Sequence, residues 1–293
     1  MKHFLKSVLK AVPFKKSIFL AVKSLTNVPE RIYKHLYFKG IFKVKVDKSS
    51  SFFVHHYGYQ IENEIFWAGL AGGWEKESMK LWIKLCKLSK NIFDVGANTG
   101  IYSLVAKAVK PEANVYAFEP VKRVKAKLDQ NLKLNNFNVF AEELALSDYD
   151  GDAIIYDQEV EHTLSVAVNK NLAEDGIKTI QVRIKTITLK TYIEEQGIET
   201  IDLMKIDVET HEPQVLAGMG VYLKQFKPTL LIEILNDDIA KKIEILVEGC
   251  GYRFYNIDEK NPPKLVTSIT KSDYYNFLIC SQEIASKLNL PLN

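Results

Sequence analysis

From residue 91 the chain alternates short apolar runs with amphipathic segments, and that rhythm leaves few folds open. Residues 92–95 form an apolar run that stops at Asp94-Val95-Gly96, and 102–110 reads as a helix ended by Pro111. A second strand over 114–118 ends at Glu119-Pro120, a helix follows over 122–134, and 139–146 reads as a third strand. The rhythm breaks over 152–189, where 153–156, 164–168 and 179–187 read as inserted strands. It resumes with helix 189–196, strand 201–206, helix 212–217, strand 229–235 and helix 238–248. Residues 252–257 and 275–280 make a final antiparallel pair. Alternating units of this kind imply an α/β fold, a mostly parallel sheet with helices on both faces.

The segment Asp94-Val95-Gly96-Ala97-Asn98-Thr99-Gly100 lies between the first strand and its helix. Glycines there permit a tight turn and close approach of a ligand to the main chain. The spacing is G-x-x-x-G. The middle glycine that makes room for a pyrophosphate in dinucleotide loops is replaced by Asn98. No G-x-x-x-x-G-K-[ST] is present, so the loop favours a nucleoside without phosphates. Glu119 closes the second strand, where a carboxylate accepts hydrogen bonds from both ribose hydroxyls. A third cluster, Asp207-Val208-Glu209-Thr210-His211-Glu212-Pro213, follows the strand over 201–206. Ligands of open parallel sheets bind beyond the carboxyl ends of the strands, so Asp94, Glu119 and Asp207 should converge. Glu209 and Glu212 suit a helix start equally well, where acids complement the dipole. No second ligand cluster accompanies them, so no metal site is assigned.

The chain has 293 residues, 47% hydrophobic and 26% charged, which excludes disordered and disulfide-scaffold classes. No run approaches the roughly 18 apolar residues of a membrane span. Charge is divided unevenly. Residues 1–48 hold twelve Lys and Arg against Glu30 and Asp47, a net of +10, and the rest carries −7. Within 2–12, Phe4, Leu5, Val8, Leu9 and Val12 share one helical face and Lys2, Lys6 and Lys10 another. A second apolar-basic segment spans 17–25, and a short helix lies near 31–36. This basic arm either packs on the body with its lysines in water or contacts anionic lipid or a polyanionic substrate. Nucleic acid is not an expected partner, because the body is acidic and carries no recognised binding module. The organisation expected is an arm over 1–48, strands and a helix over 49–90, and the main domain over 91–293. Across the first boundary, 41–67 reads as short strands, and 74–88 reads as an amphipathic helix; His55 and His56 fall on opposite faces of a strand. Three scattered cysteines, Cys86, Cys250 and Cys280, point to a reducing compartment, and no clear signal-peptide cleavage site follows the lysine-broken start. The expected location is cytoplasmic, with the arm adding peripheral contact at the inner membrane face.

The ordered set DVGANTG (94–100), FEP (118–120), ALSD (145–148), MKIDVE (204–209) and LIEI (231–234) resembles the FkbM family of S-adenosylmethionine-dependent methyltransferases over about residues 91–235. The resemblance implies a Rossmann-like seven-stranded class I methyltransferase sheet with S-adenosylmethionine over its first two strands. Asp94, Gly96, Asn98 and Gly100 would line the methionine and ribose side, Glu119 would hold the ribose, and Ala145 and Leu146 would flank the adenine. The family commonly reads Asp-Val-Glu-Gly-Ala-Glu where this chain has Asp-Val-Glu-Thr-His-Glu, which puts a titratable ring on the acceptor side. His211 is the candidate base, with Asp207 or Glu209 orienting it or the acceptor. Asp207 also counts among the cofactor-side residues. The resemblance further implies O-methylation of a sugar, glycan or small molecule in glycan or natural-product assembly. Tyr156, Tyr274 and Tyr275 are candidates to stack on sugar faces, and 152–189 and the tail after 256 to cover the acceptor. The competing readings are a nicotinamide oxidoreductase and a non-catalytic cofactor-binding or membrane-peripheral protein.

Overall fold

The chain is described by a computed structural model over residues 14–158 and 179–292. Two helices open it, α1 (Lys15–Leu25) and α2 (Glu30–Tyr33), followed by a hairpin of β1 (Gly40–Lys45) and β2 (Ser51–His56). Then come α3 (Gln60–Ala68), α4 (Lys76–Leu88), β3 (Asn91–Val95), α5 (Ile101–Val109), β4 (Asn114–Phe118), α6 (Lys122–Asn135), β5 (Phe140–Glu142) and β6 (Ala145–Ser147). After β7 (Gly151–Gln158) and β8 (Thr179–Thr188) follow α7 (Leu189–Gln196), β9 (Leu203–Ile206), α8 (Glu212–Ala217), α9 (Val221–Phe226), β10 (Thr229–Glu233) and α10 (Asp237–Val247). The chain closes with β11 (Arg253–Asn256), β12 (Lys264–Val266), β13 (Asn276–Cys280) and α11 (Gln282–Lys287).

The main sheet runs β12-β11-β13-β10-β9-β3-β4-β5. Pairing is parallel from β10 through β9, β3 and β4 to β5. The last strand, β13, slots antiparallel between β10 and β11, as expected of the final pair. The sheet has eight strands rather than seven, because β12 adds an antiparallel edge beyond β11. Central strands are buried on both sides, and alternation along each divides the core into two layers. Ile92, Val115, Leu203 and Leu231 face one layer with α4 and α5, while Phe93, Tyr116, Met204 and Ile232 face the other with α7, α8 and α10.

Two expectations are corrected here. The stretch 139–146 is two strands in two sheets: β5 extends the main sheet, and β6 joins β8 and β7 in a separate three-stranded sheet. Residues 60–68 are helical, not extended, because Glu62 at the third helical position accepts the Tyr59 N–H at 3.1 Å and caps the first turn. The inserted strands over 153–156 and 179–187 fall within β7 and β8, paired antiparallel. The strand expected over 164–168, like the helix over 2–12, lies outside the described residues. The strands expected from residue 41 onward form as β1, which pairs with β2 across residues 46–50. The amphipathic helix over 74–88 forms as α4, burying Met79, Trp82, Leu85 and Cys86 on one face. His56 is buried and His55 is half-buried on the other face of β2. Burial lowers the His56 pKa to about 4. All three cysteines are buried and free.

Candidate active site

The carboxyl ends of β3, β4 and β9 frame a cleft of about 1050 Å³, counting the space open to solvent at its mouth. The loop after β3 is fastened to both neighbours. Gly96 and Ala97 donate N–H to the Phe118 carbonyl at 3.1 and 3.0 Å, and the Asp207 N–H donates to the Val95 carbonyl at 3.1 Å. Gly96 has φ 80°, and a Cβ there would lie 1.9 Å from the Asp207 carbonyl oxygen. Gly100 has φ 91°, and its Cβ would meet Leu128 Cδ1 at 2.3 Å. The space these glycines leave is therefore filled by the chain itself. Gly96 lines the cleft, and Gly100 is not among the residues that do.

Asn98 takes φ 50°, a left-handed conformation that Asn tolerates better than most residues. Its N–H donates to Glu119 Oε2 at 3.0 Å, and the Val121 N–H donates to Glu119 Oε1 at 2.8 Å. Each carboxylate oxygen thus accepts one backbone bond and keeps a second acceptor position. Glu119 is buried, and burial raises its pKa to about 7. Asp94 is buried deeper. Its Oδ2 accepts the Ser103 N–H at 2.9 Å and the Ser103 hydroxyl at 2.6 Å, while Oδ1 has no hydrogen-bond partner. Burial raises its pKa as well.

The end of β9 brings a cation to the same wall. Lys205 Nζ lies 2.7 Å from Asp207 Oδ2 and 4.5 Å from the centre of the Tyr102 ring. Burial opposes the Lys205 charge, but Asp207, Glu75 and Asp94 outweigh it and hold the ammonium above its usual pKa. The Tyr102 hydroxyl donates to Glu75 Oε2, and Asn276 Nδ2 donates to Glu75 Oε1 at 3.1 Å. His211 stands at the N-cap position of α8, with Nε2 3.0 Å from Ser147 Oγ of β6. Glu212 turns inward and accepts the N–H groups of Val208 and Thr210, both at 3.2 Å, so it shapes the loop.

Of the residues singled out from the sequence, Asp94, Gly96, Asn98, Glu119, Ala145, Leu146, Asp207, Glu209 and His211 line the cleft. Tyr156, Tyr274 and Tyr275 do not, and no described residue of 151–188 or of the tail after 256 lines it. Trp74, Tyr102 and Phe118 give it aromatic lining, the first two with ring centres 5.9 Å apart. Lys205, Ser147, Trp74 and Arg123 were not singled out from the sequence. Lys205 and Ser147 stand inside the quoted motifs, but nothing local distinguishes a lysine aimed into a cleft from one aimed at water. Among the described residues no group of three or more His, Cys, Asp or Glu is placed to hold a metal ion.

The acidic, glycine-looped cleft stands at the switch point of a parallel sheet, the place where open α/β sheets take their ligands. A family profile described as the methyltransferase FkbM domain matches residues 94–254, and the chain belongs to that family. It is 30% identical over 188 residues to methyltransferase sdnD of Sordaria araneosa, covering 55% of this chain and 73% of that one. It is 31% identical over 153 residues to 31-O-demethyl-FK506 methyltransferase FkbM of Streptomyces tacrolimicus, covering 44% and 58%. It is also 31% identical over 146 residues to 2-O-methyltransferase NoeI of Sinorhizobium fredii, covering 43% and 56%. The chain thus spans little more than half the length of the last two.

Proposed function

We propose that this chain is an S-adenosylmethionine-dependent O-methyltransferase acting on a hydroxyl of a sugar, glycan or small molecule. The observation that carries this reading is Glu119, held at the cleft by the N–H groups of Asn98 and Val121 with acceptor capacity to spare. The donor set fits a positively charged, phosphate-free nucleoside. Asp94, Glu119, Asp207 and Glu209 line the cleft against Arg123 and Lys205, and Lys205 is engaged with Asp207. In this reading Glu119 takes the ribose hydroxyls, Ala145 and Leu146 flank the adenine, and Asp94, Gly96 and Asn98 line the methionine and ribose side.

When bound, S-adenosylmethionine supplies an electrophilic methyl group. The chain's own task is to align an acceptor oxygen and exclude water, and positioning of this kind can supply up to about 7–11 kcal/mol. His211 takes the proton of the acceptor hydroxyl. A ring donating from Nε2 to Ser147 Oγ keeps Nδ1 as the basic nitrogen. Base assistance is worth about 10²–10⁴-fold. Asp207, tied to Lys205, holds the cofactor side rather than the ring. Trp74 and Tyr102 offer flat apolar surface to a sugar ring. Hydroxyl acceptors accord with two relatives whose names specify O-methylation.

Isothermal titration with S-adenosylhomocysteine tests the cofactor, and Glu119→Gln should weaken it at least about tenfold. Tight NAD binding in its place would overturn the reading, and no observation here favours that alternative. A labelled-methyl screen over sugars and small molecules bearing hydroxyls tests the acceptor. A product methylated at nitrogen or carbon would overturn the hydroxyl assignment.

A further inference from the structure

Helix α1 has two apolar sides. Phe19 is buried against Trp67, with ring centres 5.3 Å apart, and Lys23 donates to the Phe66 carbonyl, so this side is tied to the body. At 100° per residue, Ile18, Ala21 and Leu25 lie on the opposite side. That side faces solvent: Leu25 is 86% exposed, Ile18 45%, and Phe14 at the N-cap 82%. A helix with one face tied down and a second apolar face uncovered is a candidate contact surface.

The surrounding charge selects that occupant. Residues 14–48 carry nine Lys and Arg against two acids, whereas the chain after 48 is net negative. Arg31 and Lys34, on and just after α2, are exposed, as is Ile32 between them. No ion pair to a carboxylate engages either among the described residues. A second copy of this basic surface would be repelled. No described helix is long and apolar enough to cross a membrane, so contact with a bilayer would be interfacial. The helix also sits close to the cleft. Phe66 of α3 receives Lys23, and Ile61, five residues earlier on α3, lines the cleft. At 1.5 Å per residue that is a separation of about 8 Å along the helix axis.

We propose that α1 docks on an anionic phospholipid bilayer, with Phe14, Ile18 and Leu25 in the headgroup layer and Arg31 and Lys34 on lipid phosphates. The proposal does not depend on the methyl-transfer reading.

The test is co-sedimentation of the full chain with phosphatidylcholine vesicles, with and without phosphatidylserine. Binding should require phosphatidylserine and fall as salt rises. Each basic residue near an anionic surface is worth about fivefold, so Arg31→Glu with Lys34→Glu should weaken binding at least about twentyfold. Ile18→Ser with Leu25→Ser should weaken it about tenfold or more. Ile245→Ser, which changes an exposed apolar residue on the acidic body, should leave it unchanged. Unaltered S-adenosylhomocysteine affinity and circular dichroism in each variant would show that the fold is intact. The proposal is overturned if the chain stays in solution with phosphatidylserine vesicles at low salt, if neutral vesicles bind equally, or if the α1 changes leave binding untouched. It is also overturned if Leu25→Ser instead dissolves a dimer, since the exposed side would then belong to a second copy.

Discussion

Lys205 and Asp207 stand two residues apart at the head of β9 and form an ion pair of 2.7 Å, with the lysine buried and the aspartate open to the cleft. The lysine also neutralises Glu75 and Asp94 and lies over Tyr102, so one cation balances several acids. Removing one partner of a buried pair leaves charge uncompensated, at about 3–5 kcal/mol. Lys205→Met should therefore destabilise the chain by about that much in urea unfolding. Adding Asp207→Asn should recover part of the loss, whereas independent effects would make the double variant worse than either.

Glu119 should titrate in the range where binding is measured. Its pKa is raised to about 7 by burial, and in the proposed complex the ribose hydroxyls donate to the ionised form. S-adenosylhomocysteine affinity should be full above pH 7 and fall as the solution is acidified, approaching tenfold per pH unit. Glu119→Gln should flatten that dependence. The sign for stability is opposite. A carboxyl near 4.5 when unfolded and near 7 when folded favours the fold below pH 4.5 and loses that contribution as pH rises through 7. Thermal melts of the unliganded chain should show Glu119→Gln gaining relative stability toward pH 8.

His211→Ala should leave S-adenosylhomocysteine affinity within about twofold and lower turnover on the acceptor by about 10²–10⁴-fold. Ser147→Ala removes the partner at 3.0 Å and should lower turnover less, about tenfold, by freeing the ring's orientation. Full turnover in His211→Ala would move the proton-accepting role elsewhere.

Gly96→Ala places a methyl 1.9 Å from the Asp207 carbonyl and holds alanine at φ 80°. The loop must shift away from β9, so thermal stability and S-adenosylhomocysteine affinity should fall together. Gly197→Ala, at φ 62° with nothing within 4 Å of its Cβ, should lower stability by about 1 kcal/mol and spare affinity.

Elements held by local pattern are legible in the residues themselves. The strand 114–118 and the helices 189–196 and 212–217 form with the expected bounds, because burial on both faces and cap residues write themselves into adjacent positions. The helix over 60–68 is obscured because Glu62, a buried carboxylate, breaks the apolar pattern while capping the turn. The short strands β5 and β6 merge in the sequence because residues 139–146 read as one run, and only the sheets they enter separate them.

The sequence by itself determined the alternating α/β order, the glycine loop and the acids that close three strands, since each is set by spacing along one stretch of chain. Tertiary structure alone decided that the room at Gly96 and Gly100 is taken up by Asp207 and Leu128. It alone brought Trp74 and Lys205 to one cleft, set Ser147 against His211 and left the outer side of α1 to solvent. These outcomes rest on contacts between residues far apart in the chain, and burial of charge and apolar surface is settled only when those residues meet.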